Sequence, residues 1–380
     1  MVVMRVLHII EATGAGTARH VSDLCLGLAE RGVEVHLAYS PLRLDHVLTQ
    51  ALPRLQQAGV RHIAIPMRRS PHPSDLAVLF RLHRYMADHG PFDLIHGHSS
   101  KGGALARLLA WLEKRAVIYT PNAFSTLSKN LSRTQKLLYE SAEKVLARTT
   151  TALIAVSKSE AVEAQRLGIP AERIKLITNA IQINSGIPKK KSEVRKKLGL
   201  SCEHIVIGFV GRFVPQKAPF ILIDAFARIS TDYSQARLVM VGEGPLRPRM
   251  ELRIKQLGVA GKVILPGPLE GRWAMQGFDI FALPSDYEGF PYVLLEAMAE
   301  RLPIVATRVG GAEQAIAEGV NGFLVPTRST VDFASALSRL LADEKLRKQM
   351  GEQSYKRVQA YSVDKMVDAT LALYHELLGR

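Results

Sequence analysis

Short apolar runs alternate with stretches of helical periodicity from one end of the chain to the other. The apolar run at residues 4–10 predicts a strand, and the segment between Ala18 and Gly32 repeats its apolar positions at helical spacing. Further strands are predicted at residues 33–39, 60–65, 93–96, 116–120, 152–156 and 174–177, mostly with helical segments between them. This alternation favours a doubly wound, parallel α/β sheet, because each crossover helix covers one face of the sheet.

The same alternation begins again after a basic stretch at residues 188–197. The second series predicts strands at residues 205–210, 237–241, 262–265, 279–283, 304–306 and 323–325. We therefore predict two Rossmann-like domains, residues 1–185 and 186–361, with the basic stretch as a solvated linker or helix start. A last helix near residues 363–379 has an apolar stripe formed by Met366, Ala369, Leu373 and Leu377. The cleft between two such sheets is the expected ligand site, because the carboxyl ends of parallel strands and the helix N-termini converge there.

Length and composition are typical of a folded, water-soluble protein of two domains. The chain of 380 residues is longer than one ordinary domain. Its composition, 47% hydrophobic and 22% charged residues, is close to the average of globular proteins. Cys25 and Cys202 lie far apart and outside any metal-ligand spacing, so we expect neither a disulfide framework nor a structural zinc site. The N-terminal apolar run is too short for a membrane span and leads into a Gly-rich turn, so we expect a cytoplasmic location with at most peripheral membrane contact.

The net charge indicates an anionic partner. Lys and Arg number 50 against 35 Asp and Glu, a formal charge of +15, which suits nucleic acid, phosphorylated ligands or an acidic lipid surface. A basic nucleic-acid-binding protein is the less favoured class, because aromatic residues make up only 6% and no RNA-binding, zinc-finger or helix-turn-helix signature occurs.

Glycine-rich connections follow predicted strands in both domains. Gly14 and Gly16 let backbone N–H groups approach a phosphate at a helix start, although a plain connecting turn explains them equally well. They form no dinucleotide fingerprint, since Arg19 occupies the place of its third glycine. In the second domain, the segment 208–217 and the loop 242–247 are the corresponding connections.

The segment 208–217 carries Gly211, Arg212 and Lys217, and therefore two cations beside a tight turn. A diphosphate can bind there, and a pair of ordinary surface cations is the alternative. Gly244, in the loop at the next strand end, adds a second approach lined by backbone.

Two carboxylates flank a predicted helix start in residues 284–307. Glu288 lies in the loop and Glu296 in the helix, roughly 12 Å apart if helix ran throughout. Glycosidase pairs lie about 5–9.5 Å apart, so these two are better placed to hold the two ends of one long ligand, such as a nucleotide-sugar. The N–H groups of Phe290 and Tyr292 face the anionic middle of that ligand, whereas Pro291 has no N–H.

A His-x-His pair follows another predicted strand in the first domain. We expect His98 to lie beyond the strand end and to have a catalytic or sugar-binding role, with a structural histidine as the alternative, and Ser99 or Ser100 to cap the next helix. A metal pair with His96 is not favoured, because no carboxylate or Cys at ligand spacing accompanies it.

Taken in order, these segments resemble glycosyltransferase family 4, the retaining transferases of the GT-B fold, over essentially all 380 positions. Glu288 and Glu296 resemble the Glu-x7-Glu motif of the family, and Gly211, Arg212 and Lys217 resemble its G-R-x4-K segment. Residues 15–21 and 96–103 resemble its first-domain loops, particularly those of bacterial polysaccharide-assembly members.

The resemblance implies roles for these residues. Arg212 and Lys217 would neutralise the diphosphate, Glu296 would hold the ribose and Glu288 would contact the transferred sugar. The implied catalytic set is Glu288, His98, Arg212 and Lys217, and the implied donor site is Gly16, Gly211, Arg212, Lys217, Gly244, Gly289, Phe290, Tyr292 and Glu296. No metal and no cofactor are expected, the nucleotide-sugar being a co-substrate, and the C-terminal helix, residues 362–380, is expected to pack back on the first, acceptor-side domain.

Three departures from the family pattern concern the acceptor side and the hinge. Ala218 stands where Gly is usual, residues 121–124 replace a frequent Pro-His-Gly, and residues 179–182 replace Asn-Gly-Ile-Asp. Asn122 and Arg19 are the acceptor-side candidates. The expected activity is hexosyl transfer from a UDP-sugar to a saccharide or lipid-linked acceptor. A nucleotide-sugar-binding protein without transferase activity is the alternative, which a broken Glu288 or Lys217 position would signal, and both are intact.

Overall fold

The computed structural model describes residues 3–127, 132–183 and 191–380, and the chain divides into two compact units. The first unit contains Met1–Ala180 and Val363–Arg380, and the second contains Ile181–Ser362. The predicted boundary at residues 185 and 186 lies outside the described residues, as does the start of the basic stretch.

The first unit is a seven-stranded parallel sheet with the order β3-β2-β1-β4-β5-β6-β7. Its strands are β1 (Arg5–Ile10), β2 (Glu34–Tyr39), β3 (Arg61–Ala64), β4 (Leu94–His98), β5 (Ala116–Thr120), β6 (Ala152–Ala155) and β7 (Ile174–Leu176). The helices between them are α1 (Ala15–Glu30), α2 (His46–Gln57), α3 (Asp75–His89), α4 (Ser99–Glu113), α5 (Arg133–Ala147) and α6 (Lys158–Arg166).

The second unit is a six-stranded sheet with the order β10-β9-β8-β11-β12-β13. Its strands are β8 (Ile205–Val210), β9 (Ala236–Val241), β10 (Val263–Gly267), β11 (Ile280–Leu283), β12 (Ile304–Thr307) and β13 (Gly322–Val325). Its helices are α7 (Lys191–Lys197), α8 (Pro219–Ile229), α9 (Arg247–Gln256), α10 (Gly271–Met275), α11 (Tyr292–Ala299), α12 (Ala312–Ala315), α13 (Thr330–Ala342) and α14 (Glu344–Val358).

The predicted α/β class with two parallel, Rossmann-like sheets is confirmed. Strands β1 and β8 are almost wholly buried because helices cover both faces of each sheet, which explains why they are continuously apolar rather than alternating. In each sheet the strand order reverses once, between β1 and β4 in the first and between β8 and β11 in the second. Loops at such a switch point diverge and leave a crevice at the carboxyl ends of the strands, which is where α/β proteins bind ligands.

The last helix, α15 (Val363–Leu378), belongs to the first unit and packs on α1. The helices approach closely at Gly27, where a Cβ would lie 2.6 Å from Val367 Cγ2, and Arg31 forms ion pairs with Asp364 and Asp368. Of the predicted apolar stripe, Met366 and Leu373 are buried, whereas Ala369 is exposed and Leu377 only half-buried. The buried residues of α15 recur at helical spacing and are Met366, Val367, Thr370, Leu373 and Tyr374.

The start of α4 also differs from the prediction. Strand β4 continues to His98, which is itself the N-cap, and neither serine caps the helix. Ser99 has a left-handed φ of +60°, and the Ser100 hydroxyl is hydrogen-bonded to the Ser125 hydroxyl instead. Among the described residues, no helix is both long and apolar enough to cross a bilayer.

Candidate active site

The loops that follow β8 and β11 meet at the switch point of the second unit. Lys217, after β8, donates from Nζ to Glu288 Oε1, after β11, over 2.5 Å, and both side chains are largely buried. The residues are 71 positions apart in the chain. A buried ion pair places a cation and a carboxylate side by side in a low dielectric, where each acts strongly on an incoming charge.

Gln216 fastens the two loops further through its main chain and side chain. Its Nε2 donates to the carbonyl oxygen of Tyr287 over 3.1 Å, and its own carbonyl accepts from the N–H of Asp286 over 2.8 Å. Asp286 in turn forms an ion pair with Arg328. The position of Glu288 against Lys217 therefore rests on several bonds rather than on one.

Gly211 and Gly244 belong to two connections that pack backbone against backbone. The N–H of Gly211 donates to the carbonyl of Val241 over 3.0 Å, and the N–H of Phe213 donates to that of Glu243 over 2.8 Å. A Cβ at Gly244, which has a φ of +157°, would lie 2.5 Å from the carbonyl oxygen of Phe213. Glycine is thus required at residue 244 by this close approach.

Two further residues of the loop after β8 are Arg212, whose side chain is exposed, and Ala218, whose backbone is strained. Arg212 is exposed, so its guanidinium is available to a ligand in solution. Ala218 has a φ of +43° and directly precedes α8. The left-handed conformation explains why glycine is usual there, and a non-glycine residue holds it at a cost of about 1 kcal/mol.

Gly289 and Phe290 are held by a glycine pair that sequence analysis missed. The N–H of Gly311 donates to the carbonyl of Gly289 over 2.6 Å, and a Cβ at Gly310 would overlap the carbonyl oxygen of Glu288. The consecutive glycines shortly after the strand predicted at residues 304–306 were the available signal. Only glycine lets the loop after β12 approach the Glu288 segment so closely.

Helix α11 begins at Tyr292, within the segment where a helix start is predicted, and Pro291 is its N-cap. Its Glu296 is half-buried, and a Cβ at Gly271, the first residue of α10, would lie 3.8 Å from Glu296 Oε2. Glu288 is therefore paired with the loop after β8, and Glu296 lies beside the start of α10.

In the first unit, His98 is fully buried, and its expected place beyond the strand end is wrong because β4 includes it. Its Nε2 lies 3.0 Å from Nδ1 of His8, and the neighbouring His96 is hydrogen-bonded to the hydroxyls of Tyr374 and Thr120. Burial and the nearby imidazoles hold the pKa of His98 well below its usual range, and burial lowers that of His8 to about 3. These rings are neutral at neutral pH.

Gly16 and Arg19 lie in the first two turns of α1, which begins at Ala15. Arg19 Nε lies 3.8 Å from a carboxylate oxygen of Asp23, one turn later. Burial raises the pKa of Asp23 to about 6, and the charges of Arg19 and Arg54 oppose that rise.

Asn122 lies in a strained loop that a buried acid holds in place. Asn122 and Ala123 both have left-handed φ values, +53° and +84°. The N–H groups of Ala123 and Val156 each donate to Glu160 over 2.6 Å. Burial raises the pKa of Glu160 to about 7, against the lowering effect of these two bonds. Strain of this kind persists only where surrounding contacts enforce it, and it is common at functional sites.

Sequence analysis missed Glu160, because its partners lie 37 and 4 residues away. The signal available was an acidic residue at a buried position of an amphipathic helix.

Two family models match the chain, one in each unit. Residues 15–180 match the glycosyl transferase 4-like domain, and residues 190–357 match glycosyl transferases group 1. Together they cover the loops that carry every candidate residue described above.

Curated relatives and solved structures agree with the family models. The chain is 31% identical to the D-inositol 3-phosphate glycosyltransferase of Corynebacterium urealyticum over 77% of this chain and 74% of the relative. It is 28% identical to the UDP-Gal:alpha-D-GlcNAc-diphosphoundecaprenol alpha-1,3-galactosyltransferase of Escherichia coli over 76% of each.

The crystal structure of Anabaena HepE in complex with UDP and glucose matches the fold with a TM-score of 0.83 at 21% identity, over 98% of this chain and 100% of HepE. The predicted fold, family and enzyme class are thereby confirmed. The chain belongs to the glycosyltransferases, with the 4-like and group 1 domains of that family and the GT-B fold.

Proposed function

We propose that this glycosyltransferase moves a hexosyl group from a UDP-sugar to a saccharide or lipid-linked acceptor, with retention of anomeric configuration, in cell-surface polysaccharide biosynthesis. The observation that carries the proposal is the buried Lys217–Glu288 pair at the switch point of the second unit. Support for UDP comes from HepE, which was crystallised with it, and from the E. coli relative, whose name specifies a UDP-sugar and a lipid diphosphate acceptor.

The chemistry of transfer explains why such a pair is useful. Breaking the bond between sugar and phosphate places negative charge on the departing diphosphate and positive charge on the sugar ring. A diphosphate that binds beside Lys217 competes with Glu288 for the ammonium group, and Glu288 then faces the sugar with a free carboxylate. Lys217, the exposed Arg212 and the N-terminus of α11 stabilise the leaving group, and such electrostatic stabilisation is usually the largest catalytic contribution.

Glu296 is proposed to hold the nucleoside. A half-buried carboxylate accepts hydrogen bonds from two neighbouring hydroxyls, and the ribose of UDP presents such a pair. The backbone-lined turns at Gly211 and Gly244, which pack closely on Phe209 and Phe213, are proposed to line the donor site together with Gly289.

The acceptor side is assigned to the first unit. Asn122 and Arg19 are its proposed contacts, with Gly16 at the start of α1. His98 is fully buried and its pKa is far below the neutral range, so in this proposal it is a neutral imidazole and neither a general acid nor a direct contact of the acceptor.

We further propose that the protein binds the anionic membrane that carries its lipid-linked acceptor. The proposed contact is a surface of exposed apolar and basic side chains, namely Trp111, Leu112, Lys114, Arg115 and Arg148. Trp111 and Leu112 are 66% and 55% exposed, and all five residues line one surface depression beside α4 and α5. Among the described residues the three cations form no ion pair. Exposed Trp beside unpaired Lys and Arg is typical of proteins that bind anionic bilayers at the interface.

A transfer assay tests the proposed reaction. Equal amounts of UDP-, GDP- and ADP-hexoses are offered with a synthetic lipid-diphosphate-linked GlcNAc, and release of nucleotide and the anomeric configuration of the product are followed by NMR. We expect turnover only with a UDP-hexose and an α-linked product from an α-linked donor. Fastest turnover of a GDP- or ADP-hexose, or an inverted product, would contradict the proposal.

Variants link the reaction to the site. Lys217→Ala is expected to lower turnover by about 100-fold or more, because one charged donor to the leaving group is lost. Lys255→Ala, at an exposed position of α9, is the matched control and should leave turnover unchanged.

A further inference from the structure

Three buried histidines of the first unit share one face of the sheet at its switch point. His8 on β1 is the register partner of His96 on β4, and His98 follows two residues later, beside Ile10. Register partners on neighbouring parallel strands point to the same side, as do residues two apart on one strand. All three side chains are fully buried on rigid strands rather than on loops.

The ring nitrogens of these residues converge. One nitrogen from each of the three rings lies within 4.8 Å of the others, and His8 Nδ1 is 3.0 Å from His98 Nε2. Zinc binds imidazole nitrogen at about 2.0–2.1 Å, so two ligands of a tetrahedral site are roughly 3.4 Å apart. Small rotations of the side chains therefore bring the three nitrogens to coordination distance.

Two other ring nitrogens of the cluster have no partner within the described ranges. His8 Nε2 and His98 Nδ1 are buried without a hydrogen-bond partner among the described residues. When His8 Nδ1 and His98 Nε2 bind the metal, these two nitrogens carry the ring N–H groups, and a buried water molecule is then their acceptor.

His96 is oriented from outside the cluster. One ring nitrogen is 2.6 Å from the Tyr374 hydroxyl of α15, and the other is 2.7 Å from the Thr120 hydroxyl of β5. Metal-bound histidines characteristically use the second nitrogen in a hydrogen bond of this kind, which fixes the ring and its tautomer. Either hydroxyl can fill this role while the other nitrogen turns to the metal.

We propose that His8, His96 and His98 form a zinc site with three imidazole ligands. The set contains no thiolate or carboxylate, so a solvent hydroxide or another small anion completes the tetrahedron and reduces the buried charge. The site joins β1 to β4 and, through Tyr374, to the C-terminal helix. All three ligands belong to the first unit, whereas Lys217 and Glu288 belong to the second. The sequence-based expectation of no metal considered only His96 and His98, because the third ligand lies 88 residues before His96 in the chain.

Metal content and spectroscopy of untagged protein test this site. The wild-type chain is stripped with a chelator, exposed to excess Zn²⁺ or Co²⁺ and passed through a desalting column. We expect a single metal ion per chain, the visible absorption of four-coordinate Co²⁺, zinc–nitrogen distances of about 2.0–2.1 Å by X-ray absorption, and a higher thermal midpoint with zinc bound. Wild-type protein that retains no metal, or whose Co²⁺ spectrum is that of the hydrated ion, would overturn the proposal.

Two variants locate the metal. His8→Asn is expected to lower zinc retention by about tenfold or more, since one ligand of three is lost. His36→Asn is the matched control, because His36 is equally buried on β2 but is the register partner of Leu7 and bonds to Tyr85 and Glu34 instead. Equal retention in both variants would exclude this ligand set. If His8→Asn does not fold, the wild-type Co²⁺ spectrum and X-ray absorption still decide. These measurements contain no nucleotide-sugar, so their outcome is independent of the donor site.

Discussion

At the residue scale, the Lys217–Glu288 pair is stable only while both partners remain. Removing one partner of a buried pair leaves an uncompensated charge and costs about 3–5 kcal/mol, whereas removing both is often nearly neutral. In the proposed mechanism, the diphosphate of the donor replaces Glu288 as the partner of Lys217, so the ion pair breaks when the donor binds. Substitutions at the two positions should consequently have different effects on donor affinity.

Glu160 gives a separate prediction at this scale. In Glu160→Gln an amide N–H₂ replaces one of the two oxygens that accept from Ala123 and Val156. One backbone N–H then loses its acceptor, and we expect hydrogen exchange of these amides to accelerate by about tenfold or more relative to wild type. Glu163→Gln is the control, because Glu163 bonds to Arg166 and Thr126. Unchanged protection of both amides in Glu160→Gln would contradict this role.

The pH dependence of Glu160 has a defined sign. Its pKa rises from 4.5 in the unfolded chain to about 7 in the folded one, so the folded state binds more protons between these values. The contribution of Glu160 to the free energy of unfolding is therefore greatest below pH 4.5 and declines as the pH rises to about 7. Glu160→Gln should remove this part of the slope in a series of thermal midpoints.

The sequence predicts residue types at this scale better than it predicts their contacts. Spacing singled out Lys217, Glu288 and Glu296, but the pairing of Lys217 with Glu288 depends on strands β8 and β11 being neighbours, which no local pattern states. Glu160 and the Gly310–Gly311 pair were missed for the same reason. Each acts on a backbone segment that is distant in the chain.

At the scale of elements, hydrophobic periodicity located the strands well, because a buried parallel strand is continuously apolar. It placed the ends and faces of helices less well. The serines after β4 suggested a cap, but His98 continues the strand and Ser99 adopts a left-handed conformation. The stripe on α15 was only half correct, because Thr370 and Tyr374, which are polar by type, are buried beside Met366 and Leu373 in place of Ala369 and Leu377.

Helices α4 and α5 carry the prediction on membrane binding. Vesicles of phosphatidylcholine with phosphatidylglycerol should sediment the wild-type chain, and vesicles of phosphatidylcholine alone should not, because the cations need an anionic surface. Trp111→Ser and Arg115→Glu should each weaken this binding, and added salt should weaken it further. Leu252→Ser, which changes an equally exposed apolar residue on α9 of the second unit, is the control. Equal binding to both kinds of vesicle, or equal loss in the control, would contradict the assignment.

At the scale of the whole molecule, the position of the candidate site residues follows one rule of α/β architecture. The same doubly wound sheet occurs twice, and in each unit the noteworthy side chains gather where the strand order reverses. In the second unit these are Lys217 and Glu288, and in the first they are the histidines of β1 and β4. The net charge of +15 then suits both partners of the proposed reaction, a diphosphate donor and an acceptor held at an anionic surface.

Calorimetric titration of UDP into the wild-type chain, Lys217→Ala and Glu288→Gln tests the central claim most directly. If the diphosphate displaces Glu288 from Lys217, loss of the lysine should weaken UDP binding by about 1.5–3 kcal/mol, whereas Glu288→Gln should bind UDP at least as tightly as wild type because its lysine is already free. Lys255→Ala should match wild type. Equal weakening in Lys217→Ala and Glu288→Gln, or full affinity in Lys217→Ala, would contradict the account.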